Sequence, residues 1–295
     1  MQILGENTSS EEMVEYDKLI PDYNELIEKS KRDLPFKAGI GLVDKTGTKI
    51  ILPNSEEQTA SSEYTHCVIK GRVYGVKALR KQEETPDFDG RETVRNFDKM
   101  SGYLYEIISK EKISAPEGDD IHVFMCNEDF ISAHTIVPMI YQMVPIEEGD
   151  ETPQYTDVQI RDSKLFRAAI KKRYKADISE FSVKSVSEDG KIRTYSVTVD
   201  TKAPIALGLT VVYVDEQLIF GEDFAVQNEY STWRADDEGH YEGHTPDFAF
   251  TDKNGTLNLF FSSFGAEGIN FFTMYRRGDR LIQRSYMTYF YVAPM

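Results

Sequence analysis

Apolar residues recur at three- and four-residue spacing in three stretches of the chain, and this spacing predicts helices. The first stretch covers residues 11–31, where Pro21 favours two short helices that meet at the proline. The second covers about 91–110, and Asp89 is its candidate N-cap. Its apolar stripe consists of Val94, Phe97, Met100, Leu104, Ile107 and Ile108.

The third helical stretch opens the second half of the chain. Asp162 is its candidate N-cap, and bases near its C-terminal end complement the helix dipole. Its inward-facing positions are Leu165, Phe166, Ala169, Ile170 and Tyr174.

Most other segments have the alternating or continuously apolar pattern that is typical of strands. Residues 128–144 contain Pro138 among β-branched residues, and they predict a short helix followed by a strand. The predicted strands are 37–43, 48–52, 66–69, 72–79, 121–126, 178–187, 191–200, 205–214, 217–226, 247–252, 256–262, 269–276 and 280–293.

These elements predict an α+β protein of two units. An acidic segment with a glycine and flanking prolines, residues 147–154, has nothing to bury and is the predicted linker. It separates an N-terminal α+β domain, residues 1–146, from a C-terminal domain, residues 155–295. We expect the second domain to be a single helix packed on a multi-stranded antiparallel sheet.

Composition narrows the classes of partner. The net charge of −16 and the sequence pI of about 4.8 disfavour nucleic acids and anionic membranes, which attract basic surfaces. No apolar run is long enough to span a bilayer, and the N-terminus lacks the features of a signal peptide. We therefore expect a soluble, cytoplasmic protein whose two cysteines, Cys67 and Cys126, are buried free thiols. A mature exported chain without its leader would have the same composition.

Charge is concentrated in residues 215–247, which hold ten carboxylates and one base, Arg234. Twelve aromatic residues follow in 248–295, where packing in a core is the simpler explanation than lining a ligand cavity. The acidic loop and the aromatic surface beside it could recognise a basic protein surface. The candidate binding residues are Trp233, Asp236, Asp237, Glu238 and Tyr241.

The same loop contains the one histidine pair with ligand-like spacing, His240 and His244, with Glu242 between them. A divalent metal would accept these ligands, although the neighbouring glycines and Pro246 favour a solvated loop over a metal site. No other cofactor is predicted. His66 and His122 lie in strand-like runs, where a structural imidazole is the ordinary interpretation.

The sequence leaves three functional hypotheses. The first is a non-enzymatic protein-interaction module that binds a basic partner through the acidic segment. The second is a metal-assisted hydrolase centred on His240 and His244, with Glu242 or Glu238 as general base. The third is a structural or assembly subunit that associates with copies of itself. An internal explanation competes with the first, because residues 161–175 carry seven bases and one acid and could neutralise the acidic segment.

Overall fold

The computed structural model describes residues 36–54, 61–109, 113, 120–142, 155–200, 206–226, 243–264, 268–284 and 288–292. In chain order the elements are β1 (Ala38–Val43), β2 (Lys49–Pro53), β3 (His66–Ile69), β4 (Arg72–Gln82), β5 (Gly102–Ile108), β6 (His122–Cys126), α1 (Glu128–Ala133), β7 (His134–Tyr141), α2 (Asp157–Tyr174), β8 (Asp177–Ser187), β9 (Arg193–Asp200), β10 (Ala206–Val214), β11 (Gln217–Val226), β12 (Thr245–Asp252), β13 (Leu257–Phe264), β14 (Gly268–Arg277), β15 (Arg280–Gln283) and β16 (Thr288–Tyr291).

The predicted α+β class is wrong. Strands make up 56% of the structure and helices 14%, and six of the strands close into a barrel. Two compact units are present, and each combines separate stretches of the chain. One, here called the barrel unit, contains residues 33–138, 247–273 and 285–295, and the other, the helix unit, contains residues 139–246 and 274–284.

The barrel is closed by antiparallel pairing in the order β1-β2-β5-β4-β3-β6, with β6 returning to β1. Successive side chains along each strand point to opposite faces of the sheet. All six strands supply apolar side chains to one cluster, which fills the barrel interior. It consists of Val43, Ile50, Leu52, Tyr64, Cys67, Ile69, Val76, Tyr105, Ile107, Val123 and Met125.

A second layer of the barrel unit covers one outer face of the barrel. Its strands follow the order β7-β12-β13-β14-β16. The apolar cluster between barrel and sheet is rich in phenylalanine: Phe97, Phe124, Phe130, Phe248, Phe250, Phe260, Phe271 and Phe290. The aromatic residues of the C-terminal segment that belong to this cluster are therefore core residues, as the simpler interpretation held.

The strand β16 pairs with β14 along one side. On the opposite side of β16, Glu92 forms hydrogen bonds with both the amide and the carbonyl group of Tyr291. The Glu92 amide donates to the Tyr291 carbonyl oxygen at 2.7 Å, and the Tyr291 amide donates to Oε2 of Glu92 at 3.0 Å. These contacts satisfy backbone groups that an edge strand otherwise presents to solvent.

The helix predicted over 91–110 is wrong. A short 3-10 turn, Val94–Asn96, and the strand β5 occupy this stretch. Leu104 belongs to the cluster beneath the second layer, while Tyr105 belongs to the barrel interior, which is the alternation of a strand. The helical spacing arises by chance, because a buried loop and the strand that follows it both contribute apolar residues. The side chain of Gln82 holds that loop in place by donating hydrogen bonds to two of its carbonyl oxygens at 2.8 Å.

Elsewhere the predicted elements are confirmed. The predicted strands agree with β1–β4, β6 and β8–β16 within a few residues, except that 280–293 forms two strands. The short helix and the strand predicted within 128–144 are α1 and β7, and Pro138 lies inside β7. The cysteines are buried and free. The helices predicted in 11–31 and the linker at 147–154 lie outside the described residues, and the domain limits at 146 and 155 stay a prediction.

In the helix unit, α2 packs on the strands β8–β11 and β15. Its N-cap is Thr156, not the predicted Asp162, and a capping box joins Thr156 to Gln159. Asp162 lies in the second turn with a fully buried side chain. The core of this unit includes Phe166, Ile170, Tyr195, Val197, Leu209 and Val211.

No helix among the described residues is long and apolar enough to cross a membrane.

Candidate functional site

A cavity of about 260 Å3 lies within the barrel unit, between the barrel and its second layer. The β3 end and β6 form one wall, and β12, β13 and β14 form the other. The lining residues are Val68, Lys70, Asp120, Ile121, His122, Phe124, Asp247, Phe248, Phe260, Ser262, Ile269 and Phe271. Such a volume equals that of roughly nine water molecules at about 30 Å3 each. Small ligands bind in concave spaces that combine apolar walls with a few polar groups.

The apolar part of the lining is a group of phenylalanine rings held by their neighbours. Phe260 stacks on Phe248 with ring centroids 5.1 Å apart, and on Phe271 at 6.2 Å. Phe124 meets Phe248 and Phe260 edge to face at 5.5 and 5.3 Å. Because each ring packs against others, these side chains have few alternative rotamers, and the wall is rigid before any ligand arrives.

His122 is the most unusual polar group of the wall. Its imidazole lies 4.7 Å from the ring of Phe290 and 5.1 Å from that of Phe271. Burial lowers the pKa of His122 to about 3, so the ring is neutral at physiological pH. Its Nε2 atom is buried and has no hydrogen-bond partner among the described residues. A buried polar atom left in this way costs roughly 1–3 kcal/mol.

Asp247 supplies the carboxyl group of the opposite wall. Burial raises the pKa of Asp247 to about 6, against a hydrogen bond from Ser262 and the charge of Lys70, which both lower it. At neutral pH the side chain is therefore mainly ionised although it is only partly exposed. Its one neighbouring cation among the described residues, Lys70, lies in an exposed turn with a φ of 48°. A carboxyl group with a raised pKa in a cavity is typical of a functional site.

Asp120 contributes a second carboxylate at the cavity. Its Oδ1 atom accepts a hydrogen bond from the amide of Val94 at 2.7 Å. The described lining therefore contains two carboxyl side chains, Asp120 and Asp247, and one lysine, Lys70. The site thus combines aromatic faces, acidic groups and a neutral imidazole nitrogen.

Most of the site residues predicted from the sequence lie outside the described residues. These are Trp233, Asp236, Asp237, Glu238, His240, Tyr241 and Glu242. His244 is described and is partly exposed just before β12. No group of three or more His, Cys, Asp or Glu side chains could hold a metal ion in the described ranges. The binding and metal hypotheses for the acidic loop stay predictions.

Three of the bases expected to face the acidic segment contact other described residues of the helix unit. Lys171 donates to Asp177 at 2.9 Å, and Arg173 donates to Asp279 at 3.0 Å. Arg167 lies over the ring of Phe181 at 5.5 Å. These contacts account for three of the seven bases in residues 161–175.

Sequence reasoning missed the cavity. His122 has the sequence pattern of a structural imidazole, and Asp247 has that of one more carboxylate in the acidic segment. Residues 122 and 247 are far apart in the sequence, and β6 and β12 meet only through the packing of two sheets. The available signal was a histidine and a carboxylate placed inside apolar strands, where polar residues usually have a specific role.

The chain matches no protein-family model, no curated protein and no solved structure.

Proposed function

We propose that the barrel unit binds a small amphiphilic molecule in the cavity between β6 and β12. The observation that carries the proposal concerns His122, whose side chain lines this cavity and whose buried Nε2 atom has no hydrogen-bond partner in the described chain. A polar group of a ligand at that atom would offset the cost of its burial.

The rest of the lining supports the same function. The phenylalanine rings offer a preformed apolar surface, while Ser262 and Asp247 give the opposite wall a polar patch. A molecule with one aromatic or aliphatic body and one hydrogen-bonding end matches this division. The volume of about 260 Å3 suits a body of the size of a single substituted ring.

Titration with 2-phenylethanol tests the proposal, since this probe has an aromatic body and a neutral hydroxyl. Binding at millimolar probe concentration should shift the methyl NMR signals of Ile121 and Ile269, which line the cavity. His122→Phe should weaken binding roughly tenfold, because it removes one hydrogen bond worth about 1 kcal/mol or somewhat more.

His66→Phe is the matched control. His66 is partly buried in the barrel unit, and its Nε2 lies 3.5 Å from Glu128, but it does not line the cavity. This variant should bind the probe as the wild type does. Absence of shifts at both isoleucines, or equal affinity of His122→Phe and wild type, would contradict the proposal.

A second candidate function is a cytoplasmic protein-interaction module that recognises a basic protein surface. It is supported by the charge of residues 215–247 and by the other partners of Lys171 and Arg173. The strongly negative chain also argues for a partner other than nucleic acid or an anionic membrane.

Capture of a basic partner separates this second candidate from the first. Binding to an immobilised polylysine peptide should weaken with salt and with Asp236→Asn, Asp237→Asn and Glu238→Gln together. The matched control is neutralisation of Asp87, Asp98 and Asp129, acidic residues outside that segment. If the amount of protein bound to the peptide changes neither with salt nor with the triple variant of Asp236, Asp237 and Glu238, the interaction hypothesis is refuted.

A further inference from the structure

We propose that the ligand of the cavity is an organic amine, bound as its ammonium ion with the nitrogen at Asp247 and the apolar body among the phenylalanine rings. This inference rests on the proposed function, and it adds the chemical class of the ligand.

The first support is the balance of donors and acceptors in the buried part of the lining. A carboxylate is an acceptor only, and Ser262 directs its hydroxyl hydrogen at the Asp247 carboxylate, which leaves its lone pairs to accept. His122 is neutral, and its Nε2 atom accepts when the proton lies on Nδ1. These groups together leave an excess of acceptors in the lining, and an ammonium group, with up to three N–H donors, matches that excess.

The second support is charge. Asp247 places a carboxylate in the lining, and Lys70, the one base among the lining residues, is the group with most access to water. The carboxylate of Asp247 would attract a cation bound in the cavity, and it would repel a ligand that carries a carboxylate of its own. The net charge of −16 also attracts cations to the molecule as a whole.

The third support is the aromatic lining. Phe124, Phe248, Phe260 and Phe271 line the same space and pack against one another. The negative face of an aromatic ring attracts a cation, and the attraction increases when the cation has lost its water. The same rings bury the apolar body of the amine, so one wall serves both ends of the molecule.

Three probes of nearly equal shape test the inference: phenethylamine, 2-phenylethanol and phenylacetate. The amine should bind the wild type roughly tenfold or more tightly than the alcohol, because hydrogen bonds to charged groups contribute about 1.5–3 kcal/mol. Phenylacetate should bind most weakly. Asp247→Asn should remove the preference for the amine, while Asp98→Asn, an exposed carboxylate outside the cavity, should leave it unchanged.

The affinity for phenethylamine provides a second measurement that needs no variant. An amine of this kind stays protonated across pH 5–8, as a lysine side chain does. Its affinity should rise as the pH increases through about 6, because Asp247 then becomes ionised. Lys70 and Asp120 also line the cavity. His122 stays neutral over this range, because burial lowers its pKa to about 3. The affinity for 2-phenylethanol should change much less.

The outcomes separate this inference from the proposed function. Binding of the alcohol with equal or higher affinity than the amine, tightest binding of phenylacetate, or a flat pH profile for the amine overturns the inference and leaves the cavity as a binding site. If none of the three probes shifts the methyl signals of Ile121 and Ile269, both proposals fail.

Discussion

Two carboxylates, the fully buried Asp162 in the helix unit and the partly exposed Asp247 in the barrel unit, have opposite surroundings. Asp162 accepts from Arg193 Nε at 2.5 Å, from Arg193 Nη2 at 3.3 Å and from the Tyr195 hydroxyl at 2.7 Å. The Arg193 guanidinium lies over the ring of Tyr213 at 4.4 Å and also donates to the Gly190 carbonyl. Asp247 has a hydrogen bond from Ser262 and the charge of an exposed lysine.

The difference separates a structural charge from one that can act on a ligand. The carboxylate of Asp162 is enclosed by partners that belong to the chain, so its charge is compensated inside the fold. Asp247 lines a cavity, and so does His122, whose Nε2 atom lacks a partner in the described chain. Burial alone does not indicate function, whereas burial with incomplete compensation beside open volume does.

The largest expected effect is a loss of stability when Asp162 is replaced. Asp162→Ala should lower the free energy of unfolding by roughly 3–5 kcal/mol, because the charge of Arg193, 13% exposed, loses its partner. Urea denaturation of the two proteins measures the difference. Asp162→Ala combined with Arg193→Met should recover part of the loss. A loss below about 1 kcal/mol in the single variant would show that Asp162 is not a structural anchor.

The next effect is a pH dependence that originates from Asp247. Its pKa of about 6 in the folded protein lies above the value of about 3.9 in an unfolded chain. The folded state therefore binds more protons between these values, and its contribution to stability decreases as the pH rises from 4 to 6. Two pKa units correspond to about 3 kcal/mol, and solvent access to the partly exposed side chain reduces this to about 1–2 kcal/mol.

Denaturation at pH 4, 5, 6 and 7 in wild type and Asp247→Asn isolates this contribution. Groups with a lowered pKa, such as Asp189 and Asp252, have the opposite pH dependence but are common to both proteins. The stability of the wild type relative to Asp247→Asn should fall towards neutral pH. If the stability curves of the two proteins run parallel with pH, Asp247 has the pKa of an ordinary exposed carboxylate.

The smallest effect concerns His122. His122→Phe should leave the free energy of unfolding unchanged or raise it by up to about 2 kcal/mol, since an unpaired polar atom is replaced by an apolar ring beside Phe271 and Phe290. Thermal unfolding in the absence of any probe measures this change. A loss above about 1 kcal/mol would indicate that the imidazole contributes to the fold, and the contrast with Asp162 would disappear.

Local patterns predicted the individual strands better than the architecture. The turn at Asp44–Gly47 and the alternation in β9 and β13 follow from short-range rules, and their strands are where the pattern placed them. The closure of the barrel depends on β6 pairing with both β1 and β3, contacts between residues far apart in sequence. The stripe in 91–110 shows how burial in a loop and a strand imitates a helical period.

The candidate site was still harder to predict. Asp162 was expected at a helix terminus because Asp is common there, although Thr156 with Gln159 had the complete capping pattern. Single-sequence patterns indicate that His122 is in a strand but not that its Nε2 atom lacks a partner. That property depends on three-dimensional packing against Phe271 and Phe290.

The contact between Glu92 and the last strand has a consequence for association between molecules. Both polar backbone atoms of Tyr291 that point away from β14 are already engaged by this one residue. A strand from a second chain could extend the sheet there only by displacing Glu92. Glu92 therefore hinders edge-to-edge pairing of β16 with a strand of another molecule. Its negative charge also repels a second copy of this acidic chain.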